Sequence, residues 1–153
     1  MVNSSINKKK RIMKIQNYED FLNEAAKYNT DRTHSDMAMY GLWLRNQIHL
    51  FHWQTEVGDQ HKALGEFYDS FLDQLDGLVE VCMGKHGRVS FTPTATQPLQ
   101  NLKDVNVAEF VNIGVSNFVS FRKDVYGDSP EIQNIIDEII AEMHKLNYLL
   151  TMS

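Results

Sequence analysis

The sequence predicts an all-α protein built around a bundle of four long helices. Four segments carry apolar side chains at three- and four-residue intervals, which is the spacing of one helix face. The connections between these segments are short, long and short, in that order. With 42% hydrophobic and 23% charged residues among 153, the chain has the composition of one globular domain.

The first two long helices are predicted at residues 35–57 and 59–84. Ser35 and Asp36 are candidates for capping the first helix, because short polar side chains accept hydrogen bonds from helix N–H groups. Gly58 interrupts the apolar pattern between the two segments. Since the connection is so short, the two helices are expected to form an antiparallel hairpin.

The third and fourth helices are predicted at residues 106–125 and 129–150. Pro130 stands at the first position of the fourth helix, where proline is favoured because its missing N–H costs nothing there. A short connection again predicts an antiparallel hairpin. Residues 85–104, between the two hairpins, contain Pro93 and no helical stripe, so they are predicted to be a long connection.

The length of this connection decides the topology. A helix of about 25 residues is about 37 Å long, and about 20 extended residues reach about 66 Å. The connection can therefore run from one end of the bundle to the other. Two antiparallel hairpins joined by one long crossover form the ferritin-like four-helix bundle.

The bundle is assigned to residues 34–153, and residues 1–33 precede it. A short amphipathic helix is predicted at 17–29. Before the first acidic residue, Glu19, the chain carries five positive charges, at Lys8, Lys9, Lys10, Arg11 and Lys14. Because the whole chain has a net charge of −5, a basic arm is followed by an acidic body. Translation could begin at Met1 or at Met13.

The sequence also favours one cellular setting. Cys82 is the single cysteine, so no disulfide can form within the chain. No secretion signal is recognised, and no apolar run approaches the roughly 20 residues of a membrane span. We therefore expect a protein of the cytoplasm with no membrane partner.

A helical projection of the first helix separates a core face from two further surfaces. Beside the core face lie His49, His52 and Glu56. The first helix also carries a second apolar surface, which would stay exposed in a single four-helix bundle. We therefore expect a subunit interface there. Its members are Met39, Leu42, Trp43, Leu50 and Trp53, of which Trp43, Leu50 and Trp53 are assigned to the interface.

The second helix carries His61 and then five carboxylates, with no lysine or arginine between Lys62 and Lys85. In projection His61 shares one side of the helix with Asp69, Asp76 and Glu80. Imidazole and carboxylate ligands with open positions suit iron or another borderline divalent metal better than a closed structural zinc site. The commoner explanation of such a pattern is a solvated acidic face with packed histidines.

The stretch IHLFHWQTEVGDQHKALGEFYDSFLDQLDGLVEVCMGKHG, residues 48–87, resembles the Dps branch of the ferritin-like proteins. In that family a His-Trp pair, a second histidine with an aspartate four residues later, and a further Asp and Glu form a di-iron centre shared between two subunits. The resemblance matches His52 with Trp53, His61, Asp76 and Glu80 to this pattern. It implies that the histidines come from one subunit and Asp76 and Glu80 from its two-fold mate.

The chain departs from the family at Gly65, which stands where the first aspartate is expected. The candidate substitutes for that ligand are His49, Glu56, Glu66 and Asp69. The segments HLFHWQT, HKALGEFYDS and MGKHGRV are more similar still to uncharacterised Dps-like proteins encoded by tailed phages, which would place the protein in the host cytoplasm.

The resemblance implies an iron-binding homo-oligomer, arranged as a shell, with ferroxidase activity toward Fe(II) using peroxide or oxygen. The alternative is a non-catalytic ferritin-fold module for DNA binding or protein interaction, which Gly65 favours. A third hypothesis makes the tryptophan surface a docking face for a foreign protein.

The basic arm is similar to lysine-rich arms with which some Dps proteins contact DNA phosphates without reading sequence. Deleting residues 1–12 should therefore abolish the salt-sensitive retardation of duplex DNA in a gel. The full chain, measured at the same salt concentrations, is the reference. Unchanged retardation of the deleted protein would exclude the arm as the DNA contact.

Overall fold

The computed structural model describes residues 34–88, 90 and 98–153. The predicted basic arm and the helix at 17–29 lie outside these residues. The described part contains four α-helices and no strand, which confirms an all-α helical bundle. The helices are α1 (His34–Gln54), α2 (Gly58–His86), α3 (Val107–Ser120) and α4 (Pro130–Leu150). Among them, none combines the length and apolar character that crossing a membrane requires.

Two helix ends, those of α1 and α3, differ most from the prediction. α1 ends at Gln54, so Glu56 lies in the turn before α2 and not on a helix face. α3 starts where the Asn106 side chain accepts a hydrogen bond from the Glu109 backbone N–H at 3.0 Å. Its last predicted turn is wound more widely, as a π-helical segment at Phe121–Val125.

Helix α1 packs against α2, α2 against α4, and α4 against α3. Aromatic contacts close the ring between α1 and α3. Tyr40 meets Phe118 with ring centroids 6.0 Å apart, and Phe51 meets Phe110 at 5.3 Å. The apolar stripes of all four helices are buried between them, including Leu44, Ile48, Leu64, Phe71, Leu75, Val111, Ile136, Ile139 and Met143.

Trp43 belongs to this core, which corrects its placement on the outer apolar surface. Its side chain is only 9% exposed and lies against Tyr40 and Phe110, with ring centroids 5.8 and 5.6 Å away. Because α3 covers it, Trp43 cannot contribute to an interface without disruption of the bundle.

Contacts at the two ends of the bundle define the course of the long connection. At one end, the ring of His34 at the start of α1 stacks on His86 at the end of α2. Near the other end, the side chain of Gln47 in α1 bonds the backbone of Gln100. The chain therefore leaves α2 at one end and approaches α3 at the opposite end, so that α2 and α3 run in the same direction.

Two glutamines of α1 hold the second half of this connection. Gln47 donates to the carbonyl of Gln100 at 2.8 Å and accepts from its N–H at 2.7 Å. Two helical turns after Gln47, the side chain of Gln54 donates to the Asn101 side chain and accepts from the N–H of Leu102. Gln47 is fully buried, and its amide is hydrogen-bonded to both backbone groups of Gln100.

Replacing Gln47 by leucine should lower the free energy of unfolding by about 1–3 kcal/mol, because the N–H and carbonyl of Gln100 lose their partner. Urea unfolding measures the change. The exposed neighbour Asn46 provides the control, as Asn46→Ala should have little effect. Equal stability of the two variants would show that the amide does not hold the connection.

The opposite end of the bundle contains a cluster of rings. His34 stacks on His86 at 4.4 Å, and its Nδ1 shares a hydrogen bond of 2.9 Å with the Tyr126 hydroxyl. Burial lowers the pKa of His34 below its ordinary value of 6.5, and the neighbouring His86 lowers it further. The folded protein therefore binds this proton less readily than the unfolded chain does.

The protein should lose stability as the pH falls below about 6.5, because the unfolded state then takes up a proton that folded His34 resists. Thermal unfolding at pH 7.5 and 5.5 should give a smaller difference for His34→Asn than for the wild type. The exposed His144 offers a matched control, since His144→Asn should keep the wild-type difference. An unchanged difference in His34→Asn would contradict this assignment.

Candidate metal centre

A short turn brings two of the predicted ligands together. His52 lies in the last turn of α1 and His61 in the first turn of α2. The turn is closed by the hydroxyl of Thr55, which donates to the side-chain oxygen of Gln60 at 2.5 Å. As a result the two imidazole rings stack, with centroids 3.8 Å apart and planes 24° from parallel.

The two histidines exchange hydrogen bonds with each other's backbone. His52 Nδ1 lies 2.7 Å from the carbonyl oxygen of His61, and His61 Nδ1 lies 2.8 Å from that of His52. Because a carbonyl oxygen only accepts, each Nδ1 must carry the hydrogen. In the neutral rings this leaves each Nε2 with a lone pair available to a metal ion.

The backbone of Gly65 lies against the Nδ1–Cε1 edge of the His52 ring. A Cβ atom built on Gly65 would stand 2.9 Å from His52 Cε1 and 3.0 Å from His52 Nδ1. Ordinary carbon contacts are about 3.5–4.0 Å. The residue that the sequence marked as a missing ligand therefore occupies a position where the His52 ring leaves no room for a side chain.

His49 lies near His52 and His61, but it makes aromatic contacts and does not converge with them on one metal position. Its ring stacks on Tyr68 at 3.9 Å and contacts Trp53 at 4.4 Å. Burial lowers the pKa of His49, and the positive charge of Arg45 and the nearby His52 lower it further. The neutral form of His49 is therefore favoured near pH 7.

The predicted carboxylates lie farther along α2 in the same chain. Asp69, Asp76 and Glu80 are all exposed. Asp76 follows His61 by 15 residues, which corresponds to about 22 Å along a helix axis. Within the described residues, no group of three or more His, Cys, Asp or Glu side chains is close enough to hold one ion.

An exposed apolar surface adjoins the histidine pair. Trp53 is 68% exposed although it follows His52 directly, and Leu42 is 41% exposed on the same helix. Leu50 is partly buried between them. Of the three residues predicted for an interface, Trp53 and Leu50 remain accessible to a partner, whereas Trp43 does not.

Sequence reasoning missed three participants. The ring of Tyr68 stacks on that of His49, and Cζ of Arg45 lies 5.1 Å from the centroid of the Tyr68 ring. Gly65 was noted only for the carboxylate it lacks. Tyr68 stands seven residues after His61, on the same helix face, and this spacing was the available signal.

Comparison with known proteins gives one match. Residues 52–150 match the model of a family of unknown function, DUF5856. The matched region begins at His52 and includes His61, Gly65 and the carboxylates of α2. No curated protein and no solved structure matches the chain.

Proposed function

We propose that this chain, which belongs to the family of unknown function DUF5856, binds a divalent transition metal, with iron as the leading candidate. In this proposal His52 and His61 of one copy supply imidazole ligands, and Asp76 and Glu80 of a second copy supply carboxylates. The observation that carries the proposal is the reciprocal hydrogen bonding of the two histidines.

The donor set fits a metal ion. Metal-binding histidines commonly donate their second ring N–H to a backbone carbonyl or a carboxylate, which orients the ring and fixes its tautomer. His52 and His61 both do so. Imidazole nitrogen suits iron, zinc, cobalt and copper, and added carboxylates shift a site toward the harder ions such as Fe(II).

A second copy is needed because the two halves of the ligand set lie far apart on α2. In a two-fold dimer each surface patch meets the same patch of its mate. An axis crossing α2 about midway between His61 and Glu80 would set the histidines of each copy opposite the carboxylates of the other. The exposed Trp53, which directly follows His52, provides apolar area for such a contact.

The order of the helices and the crossover between α2 and α3 support the finer assignment to the ferritin-like fold. On this basis the Dps resemblance, a homo-oligomeric shell and DNA contact through residues 1–33 are part of the same proposal. Residency in the cytoplasm is proposed from the single cysteine and the sequence pattern, and residency in a phage host from the resemblance.

In a ferroxidase, bound Fe(II) is the substrate and gives electrons to peroxide or oxygen. The chain's own contribution would be to hold the ion through His52, His61, Asp76 and Glu80 and to leave coordination positions open for the oxidant. The second candidate is a non-catalytic ferritin-fold module. Gly65 favours it, because its lack of a side chain leaves the histidine half without a carboxylate.

Anaerobic titration of metal-stripped protein with Fe(II), with native mass measured on the same sample, tests the proposal. We expect saturable binding by an oligomer. His61→Ala and Glu80→Ala should each lose it, whereas the exposed residues His144 and Glu138 of α4 should tolerate alanine. Admitting oxygen then separates the candidates, because a non-catalytic module would bind iron without accelerating its oxidation above the buffer rate.

Co-expression of the His61→Ala and Glu80→Ala chains tests whether two copies share the site. In a mixed two-fold dimer one site carries both substitutions and the other carries neither, so about a quarter of all sites should recover in a random mixture. Recovery near zero would place the histidines and carboxylates outside a common site. A wild-type protein that binds no iron would reject the proposed function.

A further inference from the structure

We infer that Gly65 is a positioning residue, which seats the ring of His52 and thereby fixes the direction of its Nε2 lone pair. The inference rests on the proposed metal site for its functional meaning. Its physical basis is the contact between a helix backbone without a side chain and an imidazole ring.

The His52 ring is confined on three sides. Gly65 approaches its Nδ1–Cε1 edge so closely that a Cβ would stand 2.9 Å from Cε1. The ring of His61 stacks on it at 3.8 Å, and the carbonyl of His61 accepts its Nδ1 hydrogen at 2.7 Å. His61 and Gly65 are four residues apart on α2, so they lie on one face and together form the surface on which the ring rests.

A side chain at position 65 would disturb all of these contacts at once. The ring cannot retreat from a new Cβ without lengthening its hydrogen bond or sliding off His61. Either movement would turn Nε2 away and release the constraint on the tautomer. Glycine is disfavoured in the middle of a helix relative to alanine, so this position carries a residue that the helix itself does not favour.

Gly84, on the same helix, provides a control position that has no imidazole ring nearby. A Cβ added at Gly84 would meet nothing within 4 Å, and Gly84 is exposed near the end of α2. The change Gly84→Ala should therefore act through helix propensity alone and raise the melting temperature. The same change at Gly65 should lower it, because propensity is outweighed by the collision with His52.

The positioning role of Gly65 and the family resemblance predict opposite effects of an aspartate at position 65 on metal affinity. Restoring the family's aspartate through Gly65→Asp adds a carboxylate, which by ligand count alone should strengthen metal binding. It also adds the Cβ that displaces the His52 ring. If Gly65 positions His52, the aspartate variant should bind metal more weakly than the wild type.

Full-length wild type, Gly65→Ala, Gly65→Asp and Gly84→Ala can be compared by titration with Co(II) alone, followed by its visible absorption. Loss of an orienting contact typically weakens metal affinity by about 10- to 100-fold, and we expect this loss in both Gly65 variants but not in Gly84→Ala. Wild-type affinity in Gly65→Ala, or tighter binding in Gly65→Asp, would overturn the inference.

Nitrogen NMR of the imidazole rings, recorded without metal, gives an independent readout. The wild type and Gly84→Ala should show His52 as the Nδ1–H tautomer, and Gly65→Ala should show mixed tautomers for that ring. In a His52→Ala background, Gly65→Ala should raise the melting temperature, since no ring remains to collide with.

The two readouts distinguish the failure of each idea. If the wild type binds no Co(II) but its His52 tautomer still depends on position 65, the proposed metal function is wrong and the positioning role stands. If the His52 spectrum is unchanged in Gly65→Ala, the positioning role is wrong, whether or not the protein binds metal.

Discussion

The arrangement of the candidate metal site between α1 and α2 depends on the contact between His52 and His61. Two hydrogen bonds, each from a ring to the other residue's carbonyl, tie the last turn of α1 to the first turn of α2. They occupy one nitrogen of each ring and leave the second available. The hydrogen bonds that join the two helices therefore also fix the orientation and tautomer of both rings.

The two ends of the bundle are held by different chemistry. Beyond the histidine pair, amide groups of Gln47 and Gln54 fasten the connection that leads to α3. At the opposite end, rings stack around His34, and Lys85 of α2 donates to Ser129 and Glu131 at the start of α4. Apolar packing fills the space between these ends.

Much of the fold could be predicted because apolar periodicity reports directly on helix faces. The four helices, the proline at the start of α4 and the two short turns all follow from local sequence. Trp43 could not be placed correctly, because a projection of one helix ignores the neighbour that covers it. Only the packing of Phe110 from α3 assigns that tryptophan to the core.

The candidate site, like the fold, could be predicted from the sequence only in part. The approach of His52 and His61 followed from a short turn, but the exchange of hydrogen bonds and the space at Gly65 depend on ring orientation, which no spacing reveals. Gly65 was interpreted by what it lacks, since sequence comparison registers a missing carboxylate and not a close approach. The pairing with Asp76 and Glu80 depends on a second copy and stays a prediction.

The turn between α1 and α2 acquires an unusual evolutionary constraint from the histidine pair. Surface turns normally accept insertions and deletions, because few contacts depend on their length. Here residues 55–57 set the distance at which each imidazole reaches the other's carbonyl. One added residue would rotate and shift α2 relative to α1 and separate both pairs of atoms. Among relatives that keep both histidines and the glycine, this turn should therefore vary in composition but not in length.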